Sequence, residues 1–237
     1  MEPACISVDI IWWQFPRNDK AACERWSLIL SPEERERAEA CVDTHVRAGF
    51  LAGRYLLRQS LAVRMNLAPQ AIAVSISEKG KPYLSDHDTF AFNITNVAGV
   101  VALAIGQHCD LVGIDCEAID SDLEPEAAQA FCTDSVINHI RQLPPGEAAR
   151  VLLAHWTLKE SYLKAIGVGL LEDPRQVEVT WQANRPVITH QGKSDRGWIH
   201  VLHDGIDQHL LALAAHSDHG TPVIRICEFH EAETLAG

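Results

Sequence analysis

The chain has 237 residues, with 20 Lys+Arg against 32 Asp+Glu for a formal net charge of −12. That length suits one large domain or two small ones, and 47% hydrophobic with 22% charged residues excludes a disordered or fibrous chain. No apolar run approaches the ~18–20 residues of a membrane span, and the start Met1-Glu2-Pro3-Ala4 lacks a secretory signal, so a cytoplasmic protein without a membrane partner is expected.

Ile6 to Trp13, rich in β-branched and aromatic residues, reads as a strand. Ser31-Pro32-Glu33-Glu34 opens a helix, with Ser31 as cap, Pro32 at the first helical position and Glu34 closing a capping box. Helical character continues to about Met65, with a break expected near Gly49 or Gly53. The alternation at Ile72, Val74 and Ile76 predicts a strand, Gly80-Lys81-Pro82 a turn, and Phe90–Ile94, Val100–Ile105 and Leu111–Asp115 three short strands. Residues 119–126, with four acids and Pro125, read as a linker or a solvated helix start. Pro144-Pro145-Gly146 breaks the chain before a helix over Glu147–Ile166 that Gly167 stops. Strands are then predicted at Val177–Trp181, Trp198–Leu202 and Leu210–Ala214. Val100-Val101-Ala102-Leu103-Ala104 echoes Leu210-Leu211-Ala212-Leu213-Ala214 at a distance of 110 residues, which hints at two similar α+β halves.

Seven scattered cysteines without a Cys-x-x-Cys pair suit reduced thiols, not disulfides or a zinc cage. His200/His203 and His216/His219 have a spacing that puts rings on opposite faces of a strand, which disfavours a metal role. The net charge of −12 repels phosphate backbones, so no nucleic-acid partner is expected. An anionic ligand needs local cations or a divalent metal.

Two clusters meet that need. In Gly113-Ile114-Asp115-Cys116-Glu117 the two acids, at i and i+2, project from one face of a strand end. Adjacent carboxylates repel unless a proton or cation lies between them, and a hard divalent ion with oxygen ligands fits. In Trp156-Thr157-Leu158-Lys159-Glu160-Ser161-Tyr162-Leu163-Lys164, Trp156, Glu160 and Lys164 form one helical ridge. A third acid and a lysine suit a metal-bound polyphosphate. Arg47, Arg54 and Arg58 fall in a narrow stripe, ordinarily a solvated face, and Gly80-Lys81-Pro82 supplies one more cation on a stiff turn.

These residues, with Ala52-Gly53-Arg54-Tyr55-Leu56-Leu57-Arg58, Phe92-Asn93-Ile94-Thr95 and Gly167-Val168-Gly169-Leu170, occur in an order that resembles the Sfp-type 4′-phosphopantetheinyl transferases almost end to end. The resemblance implies an α+β monomer, a pseudo-twofold duplication of two α+β halves (1–108 and 109–237, the second carrying the metal-binding acids), with coenzyme A in the cleft between them. It implies transfer of the phosphopantetheine arm from coenzyme A to a serine of an apo acyl or peptidyl carrier protein, with release of adenosine 3′,5′-bisphosphate. Carried over, Asp115, Glu117 and Glu160 are the Mg2+ ligands, and Asp115, Glu160 and Lys164 the catalytic residues, with Lys164 on the pyrophosphate. Lys81 and Pro82 border the adenine, Arg54 with Arg47 holds the 3′-phosphate, and Thr95 and Asn96 contact coenzyme A. The incoming serine needs a base, and Glu160 itself and a metal-bound water both remain open.

Asn96 is a departure. It stands where the family has a histidine that contacts a phosphate, and it exchanges a donor that can be charged for a neutral one, roughly half as strong. Two other readings use the same residues: a carrier-docking module with impaired catalysis, and a metal-dependent phosphohydrolase. Apolar docking of the carrier is expected around Val97-Ala98-Gly99 or Phe131.

Overall fold

Ser7–Gln14 form strand β1, and a helix the sequence reading lacked, α1 (Lys20–Ser27), follows with Asp19 as its cap. Helix α2 (Pro32–Glu39) starts on the expected capping box, Ser31 accepting from the Glu34 N–H and Glu34 from the Ser31 N–H. The break expected near Gly49 or Gly53 falls earlier. Asp43 caps a new helix, α3 (Thr44–Met65), that runs through both glycines. Each glycine costs about 1 kcal/mol against alanine inside a helix, but here each lets α3 lie close on strand β4 (Phe90–Val97). A Cβ at Gly53 would stand 3.1 Å from Ile94 Cδ1, and one at Gly49 3.2 Å from Asn96 Oδ1.

The computed structural model describes all residues except 1–4, 86, 98, 121–126, 194–195 and 232–237. Most of the acid-rich 119–126 segment, and Ala98 of the expected docking segment, therefore lie outside the described residues. Short strands β2 (Val74–Ile76) and β3 (Pro82–Leu84) pair with each other. β4, β5 (Val100–Gln107) and β6 (Leu111–Ala118) outrun their expected ends, so Asp115 lies inside β6 and Glu117 one residue from its end, paired with Ala212 and Leu210. Helices α4 (Ala128–Phe131) and α5 (Asp134–Ile140) were not foreseen. Pro145 starts α6 (Pro145–Ile166), which Gly167 ends in the left-handed region. β7 (Val177–Gln182) pairs with the unforeseen β8 (Arg185–His190), β9 (Trp198–Ile206) with β10 (His209–His216), and β11 (Val223–Glu228), also unforeseen, lies parallel to β1.

The connectivity repeats. β1, α3, the β2–β3 pair, β4 and β5 are matched in order by β6, α6, the β7–β8 pair, β9 and β10, and α3 and α6 are both 22 residues long. The strand orders also match, β1-β5-β4 against β6-β10-β9, with β11 added outside β1. The fold is thus α+β with pseudo-twofold duplication, and the echoing runs at Val100 and Leu210 are the middle strands β5 and β10. Their unbroken apolarity follows from burial on both faces. On β5, Val101, Leu103 and Ile105 face a core shared with α3, while Val100, Ala102 and Ala104 face Ile114, Leu211 and Leu213 of the other sheet. On the far side of β10, Ala212 and Ala214 pack on Leu158 and Leu163 of α6. The layers are α3, sheet, sheet, α6. Among the described residues no helix is long and apolar enough to cross a membrane.

Gly113 on β6 sets how α6 sits. A Cβ there would fall 2.0 Å from Ser161 O and 2.3 Å from Ala165 N, both backbone atoms that no rotamer change can move. Gly113→Ala is therefore expected to lower stability by about 3 kcal/mol or more, beyond ordinary overpacking, in urea titration.

His155 and His200 are buried, each with an Nδ1 that has no hydrogen-bond partner, and burial pushes both pKa values down to about 4. The unfolded imidazoles protonate near pH ~6.5, so between there and pH 4 the unfolded state binds more protons and stability falls as pH drops. His155→Leu should reduce that acid-side loss in thermal melts at pH 6.5 and pH 4.

Candidate active site

Side chains alternate along a strand, so β6 sends Val112, Ile114 and Cys116 into the core between the sheets and turns Gly113, Asp115 and Glu117 toward α6. The close seating at Gly113 then decides which α6 residues meet the acids. Lys164 Nζ lies 2.5 Å from Asp115 Oδ1. Trp156 Nε1 donates to Glu117 Oε1 at 2.9 Å. Glu160, between them on the same helical ridge, is buried and shares the field of Lys164, Asp115 and Glu117.

A third wall comes from β4, the edge strand that borders β6. Asn93, buried, accepts at Oδ1 from the Ile114 N–H (2.9 Å), which joins the two sheet edges. Two residues on, Thr95 Oγ1 donates to Asp115 Oδ1 at 3.4 Å and accepts from Lys164 at 3.4 Å. Asn96 points the other way, exposed and over Gly49 of α3. The two adjacent coenzyme A candidates on β4 therefore serve opposite faces of that strand.

Burial raises the pKa of Asp115, which Lys164 opposes, and burial with the Asp115 charge raises that of Glu117. Burial raises Glu160 too; Lys164 opposes this, and Asp115 and Glu117 add to it. Asp115 Oδ2 and Glu160 Oε1 are buried without a hydrogen-bond partner. Three carboxylates held against repulsion beside one ammonium, two of them with orphaned oxygens, fit a hard divalent cation. The acids stand apart, however. Among the described residues the three-ligand group within 4.8 Å is Asp110, His216 and Asp218. There the imidazole lies 3.6 Å from Asp110 Oδ2 and 3.7 Å from Asp218 Oδ1 through different nitrogens, a polar cluster that ties the β5–β6 turn to the end of β10.

Other expected site residues fall elsewhere. Lys81 donates to Ala165 O at 2.7 Å and Val112 O at 3.2 Å, bridging the two repeats, and burial lowers its pKa to about 8. Its ammonium is thus committed to backbone; with Pro82 it lines a cavity of about 390 Å³ that reaches Leu111 and Val112. Two of the three stripe arginines, Arg54 and Arg58, are not solvated. Arg58 is buried, bonded to Glu34 at 2.8 Å and to the carbonyls of Pro69 and Ile72. Arg54 is buried, 3.6 Å from Glu34 and over the Phe50 ring, with Nη1 unpartnered. Arg47 is exposed and lines a separate cavity of about 340 Å³ with Arg17 and Lys20. Phe131, expected near a docking surface, is buried with its ring against Trp156, centroids 4.9 Å apart. Sequence reasoning missed the contacts of Trp156, Asn93 and Lys159. The i, i+4 spacing of Trp156 and Glu160 marks a shared face but not the strand it meets.

Residues 111–214, β6 through β10, match the family model described as the 4′-phosphopantetheinyl transferase superfamily. The 4′-phosphopantetheinyl transferase gsp of Aneurinibacillus migulanus is 30% identical over 173 residues, covering 72% of this chain and 71% of its own. The chain belongs to that superfamily. The 4′-phosphopantetheinyl transferase HetI of Nostoc sp. is 27% identical over 187 residues, covering 76% of this chain and 78% of HetI. Among solved structures, a holo-(acyl-carrier-protein) synthase of Bacillus anthracis in complex with CoA (3′,5′-ADP) aligns with a TM-score of 0.38 and 17% identity over 46% of this chain and 97% of its own. Within this superfamily member, Asp115, Glu117, Trp156, Glu160 and Lys164 all lie inside the matched segment.

A carboxylate whose folded pKa is raised leaves the folded state binding more protons, so its penalty grows as pH rises above the ordinary glutamate value. Glu160→Gln should therefore raise the melting temperature at pH 8 without divalent ions, change it little at pH 4, and abolish most of any magnesium-induced shift.

Proposed function

We propose that this chain transfers the phosphopantetheine arm of coenzyme A to a serine hydroxyl of an apo acyl or peptidyl carrier protein. The observation that carries the reading is the meeting of Asp115 and Glu117 on β6 with Glu160 and Lys164 on α6, with two buried carboxylate oxygens unpartnered. Asp115, Glu117 and Glu160 would hold Mg2+, which when bound neutralises charge on the pyrophosphate.

The serine oxygen bonds to the phosphorus that carries the pantetheine arm, and the bond from that phosphorus to the bridging oxygen breaks. Adenosine 3′,5′-bisphosphate leaves with the electron pair. Positioning and charge neutralisation dominate such a step. Lys164, placed by Asp115 and Thr95, meets the charge that grows on the leaving phosphate. Glu160, beside Asp115 and Glu117 at the reacting centre, is placed to take the serine proton directly or through a water it orients. Thr95 orients Lys164 and Asp115 through one hydroxyl. On the α3 side, the unpartnered Nη1 of Arg54 suits the 3′-phosphate, with Arg47 about 10 Å away along the helix axis. Asn96 faces α3 as well, and Lys81 and Pro82 border the adenine with the lysine stem and the ring. The protein acts as a cytoplasmic monomer.

The test is an intact-mass assay of apo carrier proteins with coenzyme A and Mg2+, expected to show a gain of one phosphopantetheine. Asp115→Ala should abolish the gain, and Lys164→Ala should slow it by about 10²-fold or more, as expected for loss of a charge-stabilising donor. No gain on a broad carrier panel would overturn the reading, and cleavage of coenzyme A without a gain would favour a phosphohydrolase.

A further inference from the structure

Lys159, next to Glu160 in sequence, plays no part in the chemistry above. It is 2% exposed, and its Nζ donates to Phe131 O at 2.5 Å and to Pro174 O at 3.0 Å. Among the described residues it has no carboxylate within ion-pair distance. A buried ammonium held only by two carbonyls is costly, since neutral acceptors replace water incompletely. That cost is met where a fixed geometry is needed, and the geometry here leads to the acids.

Phe131 ends α4, with its carbonyl on Lys159 and its ring edge-on to Trp156 at 4.9 Å and 63°. Trp156, one helical turn before Lys159 on α6, donates its indole N–H to Glu117 Oε1. With Oε1 taken by the indole, Oε2 is the oxygen left to a cation. A half-buried glutamate has three rotatable bonds, and among the described residues this donor is the contact that orients its carboxylate.

We propose that Lys159, Phe131 and Trp156 form a positioning relay that sets the orientation of the Glu117 carboxylate for divalent-ion binding. This rests on the reading of Asp115, Glu117 and Glu160 as the ion's ligands. Partners that orient a metal-binding carboxylate contribute about 10–100-fold to metal affinity. The relay predicts that its members act in series, so losses do not add once the last link is cut.

The experiment measures Mn2+ binding to the purified full chain by electron paramagnetic resonance, without coenzyme A or carrier, together with the thermal midpoint of each variant. Trp156→Phe keeps an aromatic ring against Phe131 and removes only the donor, and should weaken Mn2+ binding about tenfold with the midpoint nearly unchanged. Lys159→Met and Phe131→Leu, two links and one link further back, should each weaken binding by less than about tenfold alone, and add nothing in the Trp156→Phe background. If Lys159→Met does not fold, Phe131→Leu carries the same comparison. Wild-type affinity in Trp156→Phe, or additive losses in the double variants, would overturn the relay while leaving the acids as ligands. Failure of the wild-type chain to bind Mn2+ would overturn the ligand reading and the relay with it.

Discussion

The contact between β6 and α6 governs the rest of the molecule. Gly113 brings the helix backbone to a distance that any side chain would prevent. Once the helix lies there, the strand period of two and the helix period of 3.6 leave little choice of partner. Asp115 meets Lys164, Glu117 meets Trp156, and Glu160 is confined between them. The second repeat has the acids and the helix, and the first repeat closes the site through β4, where Asn93 and Thr95 reach across to Ile114 and Asp115.

The duplication explains why the site lies where it does. Both repeats seat a 22-residue helix on a three-strand unit of the same order, and the sheets share an apolar core. The edge strand of each sheet then borders the other, with ladder donors such as the Ile114 N–H unpaired. Asn93 of β4 satisfies that one, so the edge that needs a polar partner also gathers polar chemistry. Lys81 reinforces the same junction by bridging β3 to the carbonyls of Val112 and Ala165.

Stability and function oppose each other at the acids. Burial raises all three carboxylates, and one lysine is the only described ammonium bonded to them. A fold selected for stability alone would not keep three buried acids together, since like charges in a poorly solvated site repel. The arginines of α3 show the opposite solution. Arg58 and Arg54 share Glu34, the residue that also closes the α2 capping box, so one carboxylate serves a helix end and two cations.

The sequence by itself determined the elements whose signals are local. The Ser31–Glu34 cap, the strand alternations, the stop at Gly167 and the shared face of Asp115 and Glu117 all depend on neighbours within a few residues. The echo of Val100–Ala104 in Leu210–Ala214 was legible because a strand buried on both faces becomes uniformly apolar. Only the tertiary structure decided that Gly49 and Gly53 lie inside one helix, because the reason is β4 passing over them. Tertiary structure also turned Arg58 from surface to core, committed Lys81 to two carbonyls, and gave Trp156 a carboxylate 39 residues away. Periodicity tells which face a side chain shares with its own element. What stands opposite that face depends on how the elements pack, and for the acids on the close approach that Gly113 permits, where a Cβ would fall 2.0 Å from Ser161 O.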